Sequence, residues 1–119
     1  MQYIGIDLGS TNIKAAVYDR SLRRLAEESE PVQYKCQGSF VEFDAELFVA
    51  KLFEMLKRLL LKPGVNAGEI QCLGLTGQAE TLVVLDDKDR PLMNAVSWMD
   101  ERSKDECREP EKQFRPEEY

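Results

Sequence analysis

The feature that most constrains the fold stands at the start of the chain, where two apolar segments flank a short polar turn. Tyr3, Ile4 and Ile6 precede the turn, and the segment 13–18 after it reads Ile-Lys-Ala-Ala-Val-Tyr. The turn itself, residues 7–11, contains a glycine followed by two hydroxyl residues. Short apolar runs on either side of such a turn are typical of β-strands. The sequence therefore predicts strands over 2–8 and 13–18 with a polar loop between them.

The remaining elements follow in an order that indicates an α/β fold. Residues 22–32 continue as a third, more polar strand, which would complete three antiparallel strands. Apolar residues at helical spacing then predict one long helix over 44–62, with Asp44 as its N-cap. A buried parallel strand over 69–76 and a hairpin over 81–98 follow. This order predicts a mixed sheet.

Composition excludes several classes of function. Of the 119 residues, 43% are apolar and 32% charged, which is typical of a globular domain. The net charge of −6 comes without a basic stripe, so nucleic-acid binding is not expected. Without histidine, and without a CxxC spacing among the three cysteines, neither His-dependent catalysis nor zinc binding is expected in this chain. No secretory signal or membrane-spanning apolar run is evident, so we expect a cytoplasmic protein without membrane association.

The composition changes near the end of the chain. Most residues after position 100 are charged, and Pro110 and Pro116 would interrupt a helix. A short helix over 103–108 is compatible with the pattern. We therefore expect a domain over 1–103, followed by a charged tail over 104–119 that is frayed or disordered.

The first turn carries groups suited to binding phosphate and a metal ion. A glycine lets a ligand approach the backbone, and the hydroxyl and amide side chains that follow add donors. An aspartate at the strand end suits Mg²⁺, which prefers few carboxylates and several waters, and a lysine would offset phosphate charge. An ordinary β-turn with capping hydroxyls would look the same, so the turn alone does not choose between the two. The candidate residues are Asp7, Gly9, Ser10, Thr11, Asn12 and Lys14.

Three segments in family order resemble the FGGY family of carbohydrate kinases. Residues 3–19 resemble the first phosphate motif of the actin, heat-shock-chaperone and sugar-kinase ATPases, which occurs with several functions. Residues 41–48 resemble the family's entry to its first long helix. A strand that ends in Gly77-Gln78, and the later Ala-Val-Ser-Trp-Met-Asp-Glu-Arg over 95–102, resemble a segment specific to FGGY kinases and disfavour an ATPase of the actin or chaperone type.

The resemblance implies an RNase H-like domain and transfer of the γ-phosphate of ATP, with Mg²⁺, to a hydroxyl of a sugar or polyol. It implies that the loop 9–12 and Lys14 bind ATP and that Asp7 lies on the magnesium side. Because phosphate and acceptor must meet, we expect the turns at 9–12 and 77–80 to open at the same edge of the sheet. The residues implied to face the sugar are Gln78, Glu80, Trp98 and Asp100, and Arg102 closes the same segment.

Departures from the family pattern leave the acceptor and the completeness of the site open. Glycerol kinases carry Arg-Glu where this chain has Ala79-Glu80, and the Met-His-Gly of xylulose kinases is absent. The family's catalytic Asp and adenine-binding segment lie beyond the end of this chain, so no catalytic residue is assigned. We therefore expect an incomplete kinase domain that is inactive alone, lacks its C-terminal partner domain and self-associates through an exposed apolar face. The alternative is a stand-alone binding or interaction module derived from a truncated kinase.

Overall fold

The fold is α/β with a mixed sheet, as the sequence predicts. A computed structural model of the protein describes residues 1–113, with side chains described for residues 1–108. The elements in chain order are β1 (Gln2–Leu8), β2 (Asn12–Asp19), β3 (Arg24–Pro31), β4 (Lys35–Gln37), β5 (Phe40–Phe43), α1 (Ala45–Leu60), a 3₁₀ turn (Ala67–Glu69), β6 (Ile70–Gly77), β7 (Ala95–Val96) and α2 (Lys104–Gln113).

The main sheet has four strands in the order β3-β2-β1-β6. β1, β2 and β3 are antiparallel neighbours joined by short turns, which are the three antiparallel strands expected from the sequence. β6 runs parallel to β1, because α1 carries the chain back to the starting end of the sheet before β6 begins. The ends of β1 and β6 therefore lie at the same edge.

The core lies between one face of this sheet and α1. Alternate residues of β1 and β2 point to that face, and the side chains of Met55 and Leu59 on α1 are fully buried against them. Phe48, Leu52, Leu56 and Leu60 pack around this centre, as their helical spacing predicts. The buried sheet residues of the cluster are Ile4, Ile6, Ile13, Ala15 and Val17.

Residues next to α1 in the sequence fix where the helix begins and the angle at which the chain enters it. The Asp44 side chain accepts a hydrogen bond from the backbone N–H of Leu47 at 3.0 Å, which caps the first turn. The rings of Phe43 and Phe48 lie 5.1 Å apart and fix the angle at which the chain enters the helix. The helix ends at Leu60, within two residues of the expected boundary.

The region after β6 differs from the expected hairpin. Its two arms meet only at isolated bridges, Leu82 with Val96 and Leu85 with Pro91. Pro91 takes part in the second bridge, which is closed by hydrogen bonds from the N–H of Leu92 to the carbonyl of Val84 and from the N–H of Asp86 to the carbonyl of Arg90. The return arm instead contributes β7 to a second sheet of order β4-β5-β7, which the sequence did not predict.

Two further differences concern β6 and the end of the chain. The predicted burial of β6 is wrong: Leu73 and Leu75 are 51% and 62% exposed, because β6 is an edge strand that α1 does not cover. Helix α2 extends past the short helix expected over 103–108. The expected tail falls partly on residues 114–119, which lie outside the described residues, and the domain boundary at 103 stays a prediction.

Candidate functional site

The two turns that the sequence singles out lie at the same edge of the main sheet. Leu8, the last residue of β1, stands opposite Gly77, the last residue of β6. Immediately beyond them, the backbone N–H of Gln78 donates to the carbonyl of Leu8 at 3.0 Å. The expectation that both turns open at one edge is therefore confirmed, and it follows from the parallel pairing of β1 with β6.

The first turn is tight, and its glycine has a steric reason. A Cβ built on Gly9 would lie 2.7 Å from the carbonyl oxygen of Asn12 and 3.5 Å from a carboxylate oxygen of Asp7. No side chain fits there without moving the backbone. Asp7 and Lys14 stand opposite each other across the β1–β2 pair, and both are exposed. The turn thus presents one carboxylate and one ammonium beside a compact backbone loop.

A chain of hydrogen bonds joins the second turn to the first. The hydroxyl of Thr81 donates to Oε1 of Gln78 at 3.0 Å, and the backbone N–H of Trp98 donates to Oγ1 of Thr81 at 3.3 Å. The indole Nε1–H of Trp98 then donates to Oγ of Ser10 at 2.8 Å. The structure therefore brings together three residues that sequence reasoning had placed on the phosphate side and the acceptor side: Ser10, Gln78 and Trp98.

Glu80 occupies an unusual backbone conformation in the same turn. Its φ of 63° lies in the left-handed region, which a residue with a Cβ adopts at a cost of about 1–2 kcal/mol. Its side chain is exposed. Leu22 and Asp89 adopt a similar φ in other turns, so the contact of Glu80 with a sugar, expected from the sequence, stays a prediction.

Asp100 lies in a different cluster, at the second sheet. Its carboxylate accepts the N–H of Val41 at 2.7 Å and pairs with Arg102 at 2.8 Å, and its side chain is 2% exposed. Arg102 also pairs with Glu42 at 2.6 Å and lies over the ring of Phe40, 4.2 Å from its centroid. Both Asp100 oxygens are thus engaged within the chain, and these contacts do not include Ser10, Gln78 or Trp98. Its assignment to the sugar side stays a prediction.

The ionisation of this cluster follows from its contacts. Hydrogen bonds from Arg102, helped by backbone N–H groups, hold the pKa of Asp100 well below its usual range. The same carboxylate, with that of Glu42, raises the pKa of Arg102. Hydrogen bonds from Asn94 and Arg102 lower the pKa of Glu42. All three groups therefore stay charged at neutral pH and tie the segment that follows Trp98 to β5.

Sequence reasoning missed two residues of the site. Thr81 joins Gln78 to Trp98, and the hydroxyl of Tyr34 donates to the backbone carbonyl of Ser10 at 2.8 Å. Tyr34 stands edge-on to Phe43, with ring centroids 5.7 Å apart. A tyrosine in a loop carries no local signal for such a contact, because its partner is set by how β3, β4 and β5 pack.

A groove lies on the face of the sheet opposite α1. It has a volume of about 1100 Å³ and includes Asp7 and Lys14 among its lining residues. Its floor is a cross-strand row of small residues, Gly74, Gly5 and Ala16. Among the side chains of residues 1–108, no cluster of three or more His, Cys, Asp or Glu is arranged to hold a metal ion. No helix within residues 1–113 is long and apolar enough to cross a membrane.

Comparisons with known proteins give a family match over nearly the whole chain. Residues 2–119 match the model of the FGGY family of carbohydrate kinases, N-terminal domain. The chain is 32% identical over 112 residues to a glycerol kinase of Natranaerobius thermophilus, covering 92% of this chain and 22% of that protein. It is 34% identical over 107 residues to a glycerol kinase of Trichlorobacter lovleyi, covering 87% and 21%. The chain thus spans about a fifth of the length of these relatives.

Solved structures of sugar kinases share the fold. The glycerol kinase of Plasmodium falciparum, solved with ADP, superposes with a TM-score of 0.83 at 25% identity, covering 95% of this chain and 23% of that one. A ligand-bound xylulose kinase of Lactobacillus acidophilus gives a TM-score of 0.85 at 24% identity, covering 94% and 22%.

Proposed function

Since the chain belongs to the FGGY family of carbohydrate kinases and matches their N-terminal domain, we propose that it is the N-terminal part of an ATP-dependent kinase for a sugar or polyol hydroxyl. The observation that carries the proposal is the hydrogen-bonded path from Gln78 through Thr81 and Trp98 to Ser10. Phosphoryl transfer requires the phosphate and the accepting hydroxyl side by side. Two polar turns joined at one sheet edge support that arrangement.

The phosphate side fits a polyphosphate with Mg²⁺. The loop 9–12 would hold phosphate oxygens, and the tight turn at Gly9 keeps that loop free of a bulky side chain. Lys14, across the strand pair from Asp7, would balance negative charge. Asp7 would hold Mg²⁺ mainly through waters, since a single carboxylate suits that ion. Bound MgATP supplies the phosphoryl group, and the residues named here bind and orient it.

The acceptor side combines one aromatic face with polar groups. Trp98 is 52% exposed, and its ring would pack against the C–H face of a sugar or polyol. Gln78 and Glu80 would bind its hydroxyl groups from the neighbouring turn. The contacts of Asp100 with Val41 and Arg102 support a positioning role for it, because they fix the segment that carries Trp98.

The rest of the active site belongs, on this proposal, to the remainder of the kinase. The chain covers 22% of the length of a related glycerol kinase, and we place the catalytic base and the adenine site in the part it does not cover. That part would pack on the groove face and along β6, completing an RNase H-like domain in a cytoplasmic enzyme. Without it, the exposed apolar residues of β6 favour self-association of the chain.

A coupled ADP-release assay over a panel of polyols and ketoses tests the isolated chain. We expect no sugar-dependent ATP consumption, and light scattering should report species larger than a monomer. Turnover that follows one sugar and disappears in Asp7→Ala would show instead that the chain is a complete enzyme.

A chimera tests the proposed function directly. Residues 1–103 replace the matching segment of the related glycerol kinase from Natranaerobius thermophilus, and the same sugar panel is assayed. We expect phosphorylation of at least one acceptor, with loss of activity in the Asp7→Ala chimera. A folded chimera with no activity on any acceptor would favour the alternative, a stand-alone binding or interaction module.

A further inference from the structure

Ser10 is held from two sides by residues distant in sequence. The indole N–H of Trp98 donates to its Oγ at 2.8 Å, across 88 residues of chain. The hydroxyl of Tyr34 donates to its backbone carbonyl at 2.8 Å, across 24 residues. Ser10 is half-buried, so a ligand reaches it only in a limited range of directions. The first turn is therefore positioned by the acceptor side of the site as well as by its own strands.

The chemistry of the two side chains sets the direction of the Ser10 hydroxyl. An indole N–H donates a hydrogen bond and cannot accept one, so Oγ of Ser10 must be the acceptor in its contact with Trp98. One lone pair is occupied in this way, and the single O–H remains free to donate to another group. Fully ionised phosphate oxygens are acceptors. The indole thus prepares Ser10 as a donor toward an anion.

Tyr34 fixes the backbone of the same residue. Its ring is half-buried and meets Phe43 edge-on, at an angle of 88° between the ring planes. Beside it, the N–H of Val32 donates to the carbonyl of Thr11 at 3.0 Å. The segment that joins β3 to β4 therefore holds the carbonyl groups of two consecutive turn residues and leaves their hydroxyl side chains for a ligand.

We propose that Trp98 and Tyr34 are positioning residues for the phosphate loop, and that Trp98 couples the acceptor side to phosphate binding by orienting the Ser10 hydroxyl. This inference rests on the proposed function, and it gives Trp98 a second role beyond offering a ring to the acceptor. Losing one oriented neutral hydrogen bond should weaken polyphosphate binding roughly threefold to tenfold.

The intact 119-residue chain and magnesium tripolyphosphate provide the test. Isothermal titration is compared among the unmodified chain, Trp98→Phe, Ser10→Ala and the double variant. Trp98→Phe keeps an aromatic ring and removes the N–H, and should weaken binding roughly threefold to tenfold. Ser10→Ala should weaken it at least as much, and the double variant should bind like Ser10→Ala because the two residues act as one unit. Tyr34→Phe should also weaken binding, whereas the matched variant Tyr3→Phe, at the opposite end of β1 from the first turn, should not.

A second measurement detects the hydrogen bond between Trp98 and Ser10 without any ligand. Trp98 is the only tryptophan, so a ¹H–¹⁵N spectrum contains one indole signal. In the unmodified chain this proton should exchange more slowly than in Ser10→Ala, and tripolyphosphate should shift it only when Ser10 is present. Circular dichroism of each variant confirms that the fold is kept.

Three results would overturn the inference: equal affinity of Trp98→Phe and the unmodified chain, equal exchange of the indole proton with and without Ser10, or no affinity of the unmodified chain for tripolyphosphate. The chimera assay tests the proposed function independently of this coupling. An active chimera together with any of these results would leave that function standing and remove the coupling through Trp98.

Discussion

The two faces of the main sheet are built by alternate residues of the same strands, and within residues 1–113 only one of them is covered. On the α1 side, Ile13 and Val17 are fully buried beneath Met55 and Leu59. On the other side, the groove exposes a floor of small residues centred on Gly5. Strand alternation thus produces two different surfaces from one stretch of sequence.

The two faces differ in what they contribute: the face under α1 stabilises the fold, and the groove face is available for contact with another element. The covered face supplies the buried apolar contacts that stabilise the fold. A row of small residues without a covering layer suits the close approach of another element, as in the layered architectures of α/β domains. Substitutions on the covered face should therefore change stability, and matched substitutions on the open face should change it little.

The largest effect is expected at the centre of the covered face. Met55 is completely buried, and Met55→Ala should lower the free energy of unfolding by about 2–5 kcal/mol through lost burial and an unfilled cavity. Phe53→Ala on the same helix removes a ring that is 57% exposed and should cost less than about 1 kcal/mol. Urea unfolding followed by circular dichroism measures both, and equal losses would contradict the assignment of the core.

Substitutions at the neighbouring residues Ala15 and Ala16 on β2 give the most direct comparison of the two faces. Ala15 points to the covered face and is 3% exposed, so Ala15→Leu should overpack the core and cost about 1–3 kcal/mol. Ala16 faces the open groove, and Ala16→Leu should change stability by less than about 0.5 kcal/mol. The same unfolding measurement applies. A large loss in Ala16→Leu would mean that the groove face is already packed in this chain.

A smaller effect is expected where the covering helix begins. Asp44→Ala removes the side-chain acceptor for the N–H of Leu47 and should cost about 1 kcal/mol. Asp44→Asn keeps a capping oxygen and serves as the control, and it should change the free energy of unfolding by only about a few tenths of a kcal/mol. Thermal unfolding compares the two, and identical stabilities would show that this cap contributes nothing to holding α1 on the sheet.

The smallest effect is expected outside both faces, in the turn between β2 and β3. Leu22 is 72% exposed and has a φ of 59°, so Leu22→Gly should relieve backbone strain and raise stability by up to about 1 kcal/mol. Leu61→Gly is the matched control, because Leu61 is similarly exposed but has a φ of −89°. Its replacement should give no gain. A gain of the same size at both positions would point to lost surface hydrophobicity as the cause.

Much of the fold and part of the site can be read from local sequence patterns. The alternation in β1 and β2, and the helical spacing from Phe48 to Leu60, predict the elements that enclose the core. The capping aspartate marks the start of α1 to within one residue. The residue types of the first turn suit phosphate binding, but they suit an ordinary β-turn with capping hydroxyls equally well.

Other features depend on contacts between distant segments and have no local signal. The second sheet forms because Ala95 and Val96 meet β5, more than fifty residues earlier in the chain. The exposure of β6 follows from its place at the edge of the sheet, although its apolar composition suggests burial. Tyr34 and Thr81 belong to the site only because packing brings them to Ser10 and Trp98.

The sequence by itself determined the strands of the main sheet, the helix that covers one face and the residue types of the two turns, since each rests on residues close together in the chain. Only the tertiary structure decided that Trp98 bonds to Ser10 and that Asp100 binds Val41 and Arg102. Periodicity and turn chemistry act over a few residues and leave their pattern in the sequence. A hydrogen bond across 88 residues exists only once the parallel pairing of β1 and β6 has set both turns at one edge.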